Sequence, residues 1–193
     1  KAHTMQQIIE RACGFDILEC LTYEGLREAC LTRDLLEVRE DEESAEAQTQ
    51  TDQMFGATTH DPRWFDLFFE LQVTYIDPLL ERMGPVFVTQ WPAPLAVLAR
   101  RKAEDPRVSE RFELYIAGVE VANGFGELTD AHEQRARFEE DLQQRRRQGL
   151  PTPPMPERFL RALQYGMPPS AGVAVGVDRL LMLATGATRI QDV

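Results

Sequence analysis

Two short runs rich in β-branched, aromatic and aliphatic residues, Arg111-Phe112-Glu113-Leu114-Tyr115-Ile116 and Val119-Glu120-Val121-Ala122, are separated only by Ala117-Gly118. A two-residue gap ending in glycine predicts a tight hairpin, and a hairpin dictates which side chains share a face. With Ala117 and Gly118 as the turn, Ile116 faces Val119, Tyr115 faces Glu120 and Glu113 faces Ala122. Glu113 and Glu120 then emerge on one side as diagonal neighbours, roughly 7–8 Å apart. Phe112, Leu114, Ile116, Val119 and Val121 take the other side, which is apolar enough to be the core face. Two carboxylates on adjacent strands repel unless a positive charge lies between them. Magnesium bridging both to substrate phosphates would supply that charge. A sheet face simply wetted by solvent is the alternative.

The strand continues into Asn123-Gly124-Phe125-Gly126-Glu127-Leu128. Strict alternation places Asn123 opposite to Glu120, so Asn123 reaches the carboxylate face only if the strand bulges or ends near Gly124. Glu127 offers another carboxylate, suited to an ammonium group. The plainer reading makes Asn123 and Gly124 turn formers and Glu127 a surface acid.

A third constellation is Ala171-Gly172-Val173-Ala174-Val175-Gly176-Val177-Asp178-Arg179-Leu180. It predicts a buried strand over 171–175 that passes through Gly176 into an apolar helix over 177–184. Glycines let backbone approach a ligand closely, and a helix start presents free N–H groups. Arg179 in the first turn can stack on an aromatic base or pair with a phosphate. Neither GxxxxGK[ST] nor GxGxxG occurs, and close strand–helix packing explains the same glycines.

Around these segments the pattern is α+β, an antiparallel sheet flanked by helices. Helices are expected over 4–13 after a Thr4 cap, over 22–36 after Thr22, over 63–75 after Asp61-Pro62, and over 78–83. A strand is expected over 86–91, a helix from Asp130 to about Gln148 opened by an Asp130/Glu133 capping box, and a short helix over 157–165. Residues 37–60 are polar and read as a mobile acidic segment. Between Asp34 and Asp52 eight acids meet one base, Arg39, and this stretch accounts for most of a net charge of −11. That balance argues against a nucleic-acid sheath. Cys13, Cys20 and Cys30 form neither a CxxC pair nor a cluster with histidine, so three reduced thiols are expected, as in a cytoplasmic protein. No apolar run reaches the roughly 18 residues of a membrane span.

Taken together, Arg111-Phe112-Glu113, Val119 through Asp130, and Gly172 through Leu180 resemble the second half of a class II lysyl-tRNA synthetase catalytic domain. The third block resembles class II motif 3. The resemblance is closer still to the paralogous branch of that family whose members modify elongation factor P. Two features favour that branch, the Gly149-Leu150-Pro151 connector with its further prolines and Ala174, where lysyl-tRNA synthetases usually carry Gly. Gly126 departs from both, His being usual in the branch and Ser or Thr in the synthetases.

The resemblance implies an ATP-dependent ligase that forms an adenylate of lysine or β-lysine and hands it to a lysine of elongation factor P. Glu113 and Glu120 would hold Mg2+ against the ATP phosphates. Asn123 and Glu127 would bind the amino acid, with Gly172 and Ala174 shaping the pocket. Gly176 and Arg179 would lie at the nucleotide. It also implies a cytoplasmic homodimer. Motif 2, with its arginine, and motif 1 are not found; Arg63-Trp64 is followed by aromatics. Residues 1–193 therefore read as a partial, truncated catalytic domain, inactive alone. A fragment charging tRNA with lysine and a non-catalytic binding module of the same fold are the alternatives.

Overall fold

A computed structural model describes residues 1–36 and 61–193; the acidic segment over 37–60 lies outside the described residues. Five strands form one sheet in sequence order, β1 (Ala2–Thr4), β2 (Val86–Thr89), β3 (Arg111–Ile116), β4 (Val119–Gly126) and β5 (Ala171–Val175). The later pairs are antiparallel, as expected. The first is parallel: β1, three residues too short to register as a strand by periodicity, sets His3 against Val88.

Thr4 ends β1 and also caps α1 (Met5–Cys13). Its hydroxyl accepts from the Gln7 N–H while the Gln7 side chain returns to the Thr4 N–H, and Gly14 closes the helix in the left-handed region. The helix after Thr22, α2, spans Tyr23–Leu31 and stops short of the expected Leu36. Asp61 caps α3 (Pro62–Leu71), which continues through a π turn, Gln72–Ile76, into α4 (Asp77–Met83). One continuous helical path thus replaces the two separate pieces expected from Pro78. The wider turn absorbs the position where proline has no N–H to give. β2 ends at Thr89 instead of residue 91, because Gln90 turns to φ 53°.

Helices α1, α3 and α4 and the π turn bury Met5, Ile8, Ile9, Trp64, Phe68, Leu71, Ile76 and Leu80 in one cluster with Val86, Val88 and Tyr115. The aromatic stripe of α3 is core, and the Trp64 indole N–H is satisfied by the Cys20 carbonyl at 2.9 Å. This overturns the expected sidedness of the hairpin. Val86 pairs with Tyr115 and Val88 with Glu113, so the helices cover the carboxylate face. Phe112, Leu114 and Ile116 are only half-buried on the other face, where Phe87 is exposed and packs on the Phe112 ring.

Beyond β4, Asp130 caps α5 (Ala131–Arg147) by accepting from the His132 and Glu133 N–H groups. The expected capping box is only half made, since the Glu133 carboxylate turns to Arg137 instead. α6 (Glu157–Tyr165) packs on α5 through Phe138 and Phe159 and an Arg135–Glu157 ion pair. β5 then pairs with β4 and leads into α7 (Val177–Thr185). β5 was expected to be buried, yet it is the sheet's edge strand and mostly exposed. Its apolar run reflects a second face that the described residues leave uncovered. No helix among the described residues is long and apolar enough to cross a membrane.

Candidate functional site

The hairpin turn falls at Ala117-Gly118, both with positive φ (50° and 78°), which matches the right-handed twist of the flanking strands. Ile116 faces Val119 and Tyr115 faces Glu120, as the sequence predicts. The register then slips at a bulge between Leu114 and Tyr115, and Glu113 faces Asn123 where Ala122 was expected. The bulge is the condition under which Asn123 joins the carboxylate face. Asn123 in turn faces Ala174, and Phe125 faces Gly172. Glu113, Glu120, Asn123, Gly172 and Ala174 therefore share one side of the sheet.

Glu113 is 4% exposed and is held by three donors. Tyr115 Oη donates to its Oε2 at 2.5 Å, Asn123 Nδ2 donates to Oε1 at 2.9 Å, and the Arg111 guanidinium pairs with Oε1. Burial pushes this carboxyl above its ordinary value, and the nearby Glu120 charge adds to the rise, while Arg111 and Tyr115 oppose it. Burial also pushes the Tyr115 hydroxyl up, reinforced by the Glu113 charge, so the phenol stays a proton donor. Arg111 is anchored in turn: its guanidinium carbon sits 4.5 Å from the centroid of the Trp91 ring, and Nη1 donates to the Leu95 carbonyl at 2.7 Å. Arg111 and Tyr115 were not among the expected site residues. Their signal was present, because residues two before and two after Glu113 on one strand must share its face.

Glu120 is half-buried. Arg179 reaches it from the first turn of α7, with Nη1 donating to the Glu120 carbonyl at 2.7 Å and lying 3.6 Å from the carboxylate Oε2. The structure thus joins Arg179 to Glu120. Gly176 is the N-cap of α7, and its N–H donates to the Val121 carbonyl at 2.9 Å. The Arg179 stem crosses directly over it, since a Cβ there would lie 3.3 Å from Arg179 Cδ.

Two acceptors on this face lack partners among the described residues. Asn123 Oδ1 is buried with none. The half-buried Glu127 carboxylate makes no hydrogen bond or ion pair, and it lies over Gly172, where a Cβ would come within 2.5 Å of Oε1. Gly172 is therefore required by the position of Glu127. Gly124, read from sequence as a turn former, instead lies inside β4 opposite Val173 and is required there as well. A Cβ there would meet the Gly172 carbonyl at 2.7 Å and the Phe112 ring at 2.8 Å on the opposite face. Gly126 has its own explanation, because the Arg100–Glu110 ion pair occupies the space of a side chain there, with Glu110 Oε2 2.5 Å from a Cβ at that position.

No group of three or more His, Cys, Asp or Glu side chains suited to a metal occurs among the described residues. Glu113 and Glu120, two mutually repelling carboxylates with no third acid near enough to complete a metal-holding group among the described residues, fit magnesium that arrives with a polyphosphate, since this ion keeps only one or two protein carboxylates.

The sequence matches the class II tRNA synthetases (D, K and N) over residues 5–193. It is 45% identical over 168 residues to the elongation factor P–(R)-β-lysine ligase of Edwardsiella ictaluri, covering 87% of this chain and 46% of that protein. The ligase of the same name from an Enterobacter species is 41% identical over 188 residues, 97% of this chain and 52% of the relative. That of Proteus mirabilis is 55% identical over 123 residues, 64% and 38% respectively. The chain spans about half the length of these curated relatives, or less. With a family match over nearly all of its residues and a five-stranded sheet flanked by helices, the chain belongs to the class II tRNA synthetases of the D, K and N group.

Proposed function

We propose that this chain forms part of the site of an ATP-dependent ligase that activates (R)-β-lysine as an adenylate and passes it to a lysine of elongation factor P. The observation that carries the reading is the pair of acceptors without partners among the described residues, Asn123 Oδ1 and the Glu127 carboxylate, on the same sheet face as Glu113 and Glu120. A half-buried carboxylate without a cation is costly, and an ammonium group is its natural complement. An amino acid with two ammonium groups suits a site with two such acceptors.

In this reading Glu113 and Glu120 would hold magnesium, which would supply positive charge to offset that of the ATP phosphates. Arg111, Tyr115 and Asn123 orient Glu113, so that its oxygens are aimed before substrate arrives. Arg179, on the rim of the carboxylate pair, faces the nucleotide as a planar cation able to stack on adenine or pair with a phosphate. The substrate carboxylate attacks the α-phosphorus and releases pyrophosphate; the acceptor amine then attacks the acyl carbon and releases AMP. No side chain acts as a covalent nucleophile, so the rate comes from positioning and charge neutralisation. Ala174, facing Asn123, places a methyl group beside the amino-acid pocket and shapes it for a β-amino acid.

The test offers the intact protein ATP with (R)-β-lysine or α-lysine, and then elongation factor P or tRNA. Pyrophosphate exchange favouring (R)-β-lysine with transfer to the factor is expected. Charging of tRNA with α-lysine while the factor is ignored would overturn the proposal, and activation of neither amino acid would leave a binding module.

A further inference from the structure

Glu127 lies one residue past β4, and its backbone is gripped from two sides. On one side its N–H donates to the Ser170 carbonyl at 2.9 Å. On the other runs the segment 96–100, where Ala99 bridges Glu127, Arg100 N–H donates to the Gly126 carbonyl at 2.8 Å, and Leu128 N–H donates to the Leu98 carbonyl at 3.1 Å. That segment is not relaxed. Val97 sits at φ 52°, a left-handed conformation that a β-branched side chain adopts only under constraint. The residue is 62% exposed, so no burial of Val97 supplies the constraint.

The Ala99 N–H closes a turn around Val97 and Leu98 by donating to the Ala96 carbonyl at 2.7 Å, and α5 fastens that turn from outside. Arg137 Nη1 donates to the carbonyls of both Val97 and Ala99, at 2.8 and 2.9 Å, gripping the strained residue and the chain two positions on. Its Nη2 is held by Glu133 Oε1 at 2.6 Å, one helical turn earlier. The arginine side chain is 13% exposed, and among the described residues these three groups are its acceptors, so Nη1 is committed to the segment and Nη2 to its own helix.

We infer that Arg137 is a positioning residue for Glu127: it pins the strained segment at Val97 to Ala99, and that segment sets the Glu127 carboxylate over Gly172. The inference rests on the reading of Glu127 as an ammonium-binding group. It assigns Arg137 a role in amino-acid recognition although Arg137 itself touches no substrate. If α5 merely docked here for stability, relaxing Val97 would do nothing to compensate for losing the guanidinium.

That difference is the test. In the intact protein Arg137→Met is expected to raise KM for (R)-β-lysine roughly tenfold, since small misplacements of a recognition group are costly, while KM for ATP stays within about twofold. Amide hydrogen exchange at Arg100 and Leu128 should quicken in the same variant. Arg137→Lys, which keeps the charge but not the fork, should move both readouts the same way and less far. Adding Val97→Asn, a residue at ease in the left-handed region, should restore slow exchange and most of the KM. Unchanged exchange at the two amides, an equal rise in both KM values, or no recovery in the double variant would overturn the inference. A wild-type protein that activates no lysine isomer would instead overturn the reading of Glu127, and the exchange measurements would still decide whether Arg137 holds the segment.

Discussion

Glu113 and Glu120 differ in how the protein treats their charge, and so the two should answer mutation differently. Glu113 and Arg111 are both largely buried and satisfy one another, so Glu113→Ala leaves a buried guanidinium without its counter-ion. Urea unfolding should show a loss of about 3 kcal/mol. Glu120 is half-exposed, and its ion pair with Arg179 is long and wet. Glu120→Gln should leave urea stability within about 0.5 kcal/mol yet abolish magnesium-dependent pyrophosphate exchange in the intact protein. Equal destabilisation by the two substitutions would contradict this assignment.

The three cysteines also behave as buried hydrophobes. Burial raises the Cys13 thiol from 9.0 to about 11 and the Cys30 thiol to about 12, the latter helped by its neighbours Cys13 and Cys20. A group whose pKa is raised by folding stabilises the fold below its unfolded value, and that contribution is lost as pH climbs towards the folded value. Stability should therefore fall between about pH 9 and pH 12, and Cys30→Ala should flatten part of that slope in denaturant titrations. At pH 8 all three thiols should resist iodoacetamide until denaturant is added.

At the scale of elements, the hairpin is the part most open to local tuning. Ala117 occupies a left-handed position where alanine carries steric strain and asparagine little, so Ala117→Asn should stabilise the protein by about 1 kcal/mol. Gly118 has no such freedom: its φ is 78°, and a Cβ would press on Glu81 at 3.1 Å. Gly118→Ala should accordingly cost stability in the same urea titration. Neither substitution touches Glu113 or Glu120, so a change in nucleotide affinity beyond that in stability would show that turn geometry reaches the site.

For the whole molecule, the outer face of the sheet is the conspicuous feature. Phe87, Phe112, Gly124 and Val173 run across β2 to β5 on the side away from the helical core, and Val173 and Val175 stand exposed on the edge strand. Contiguous exposed apolar surface on a sheet with an open edge favours association. The 193-residue chain on its own should sediment as concentration-dependent oligomers. Val173→Lys with Val175→Lys should shift it towards monomer, and monodisperse behaviour of the unaltered chain would refute this.

What could be read from the order of residues alone was whatever depends on near neighbours. Ala117-Gly118 announced the turn, Thr4 and Asp130 announced their helices, and alternation put Glu113 with Glu120 because seven positions spanning a two-residue turn leave little choice. The class II resemblance rested on the same local strings. The tertiary structure decided two further things. A period of two says that the faces of β3 differ, but not which one the helices cover; Tyr115, with Val86 and Val88, supplied the apolar contact, and three donors made it tolerable to bury Glu113 with them. The bulge decided the other, because one extra residue in β4 carries every later side chain to the opposite face and brings Asn123 to Glu113. Neither outcome has a local signature, since each depends on energies shared between segments far apart in the chain.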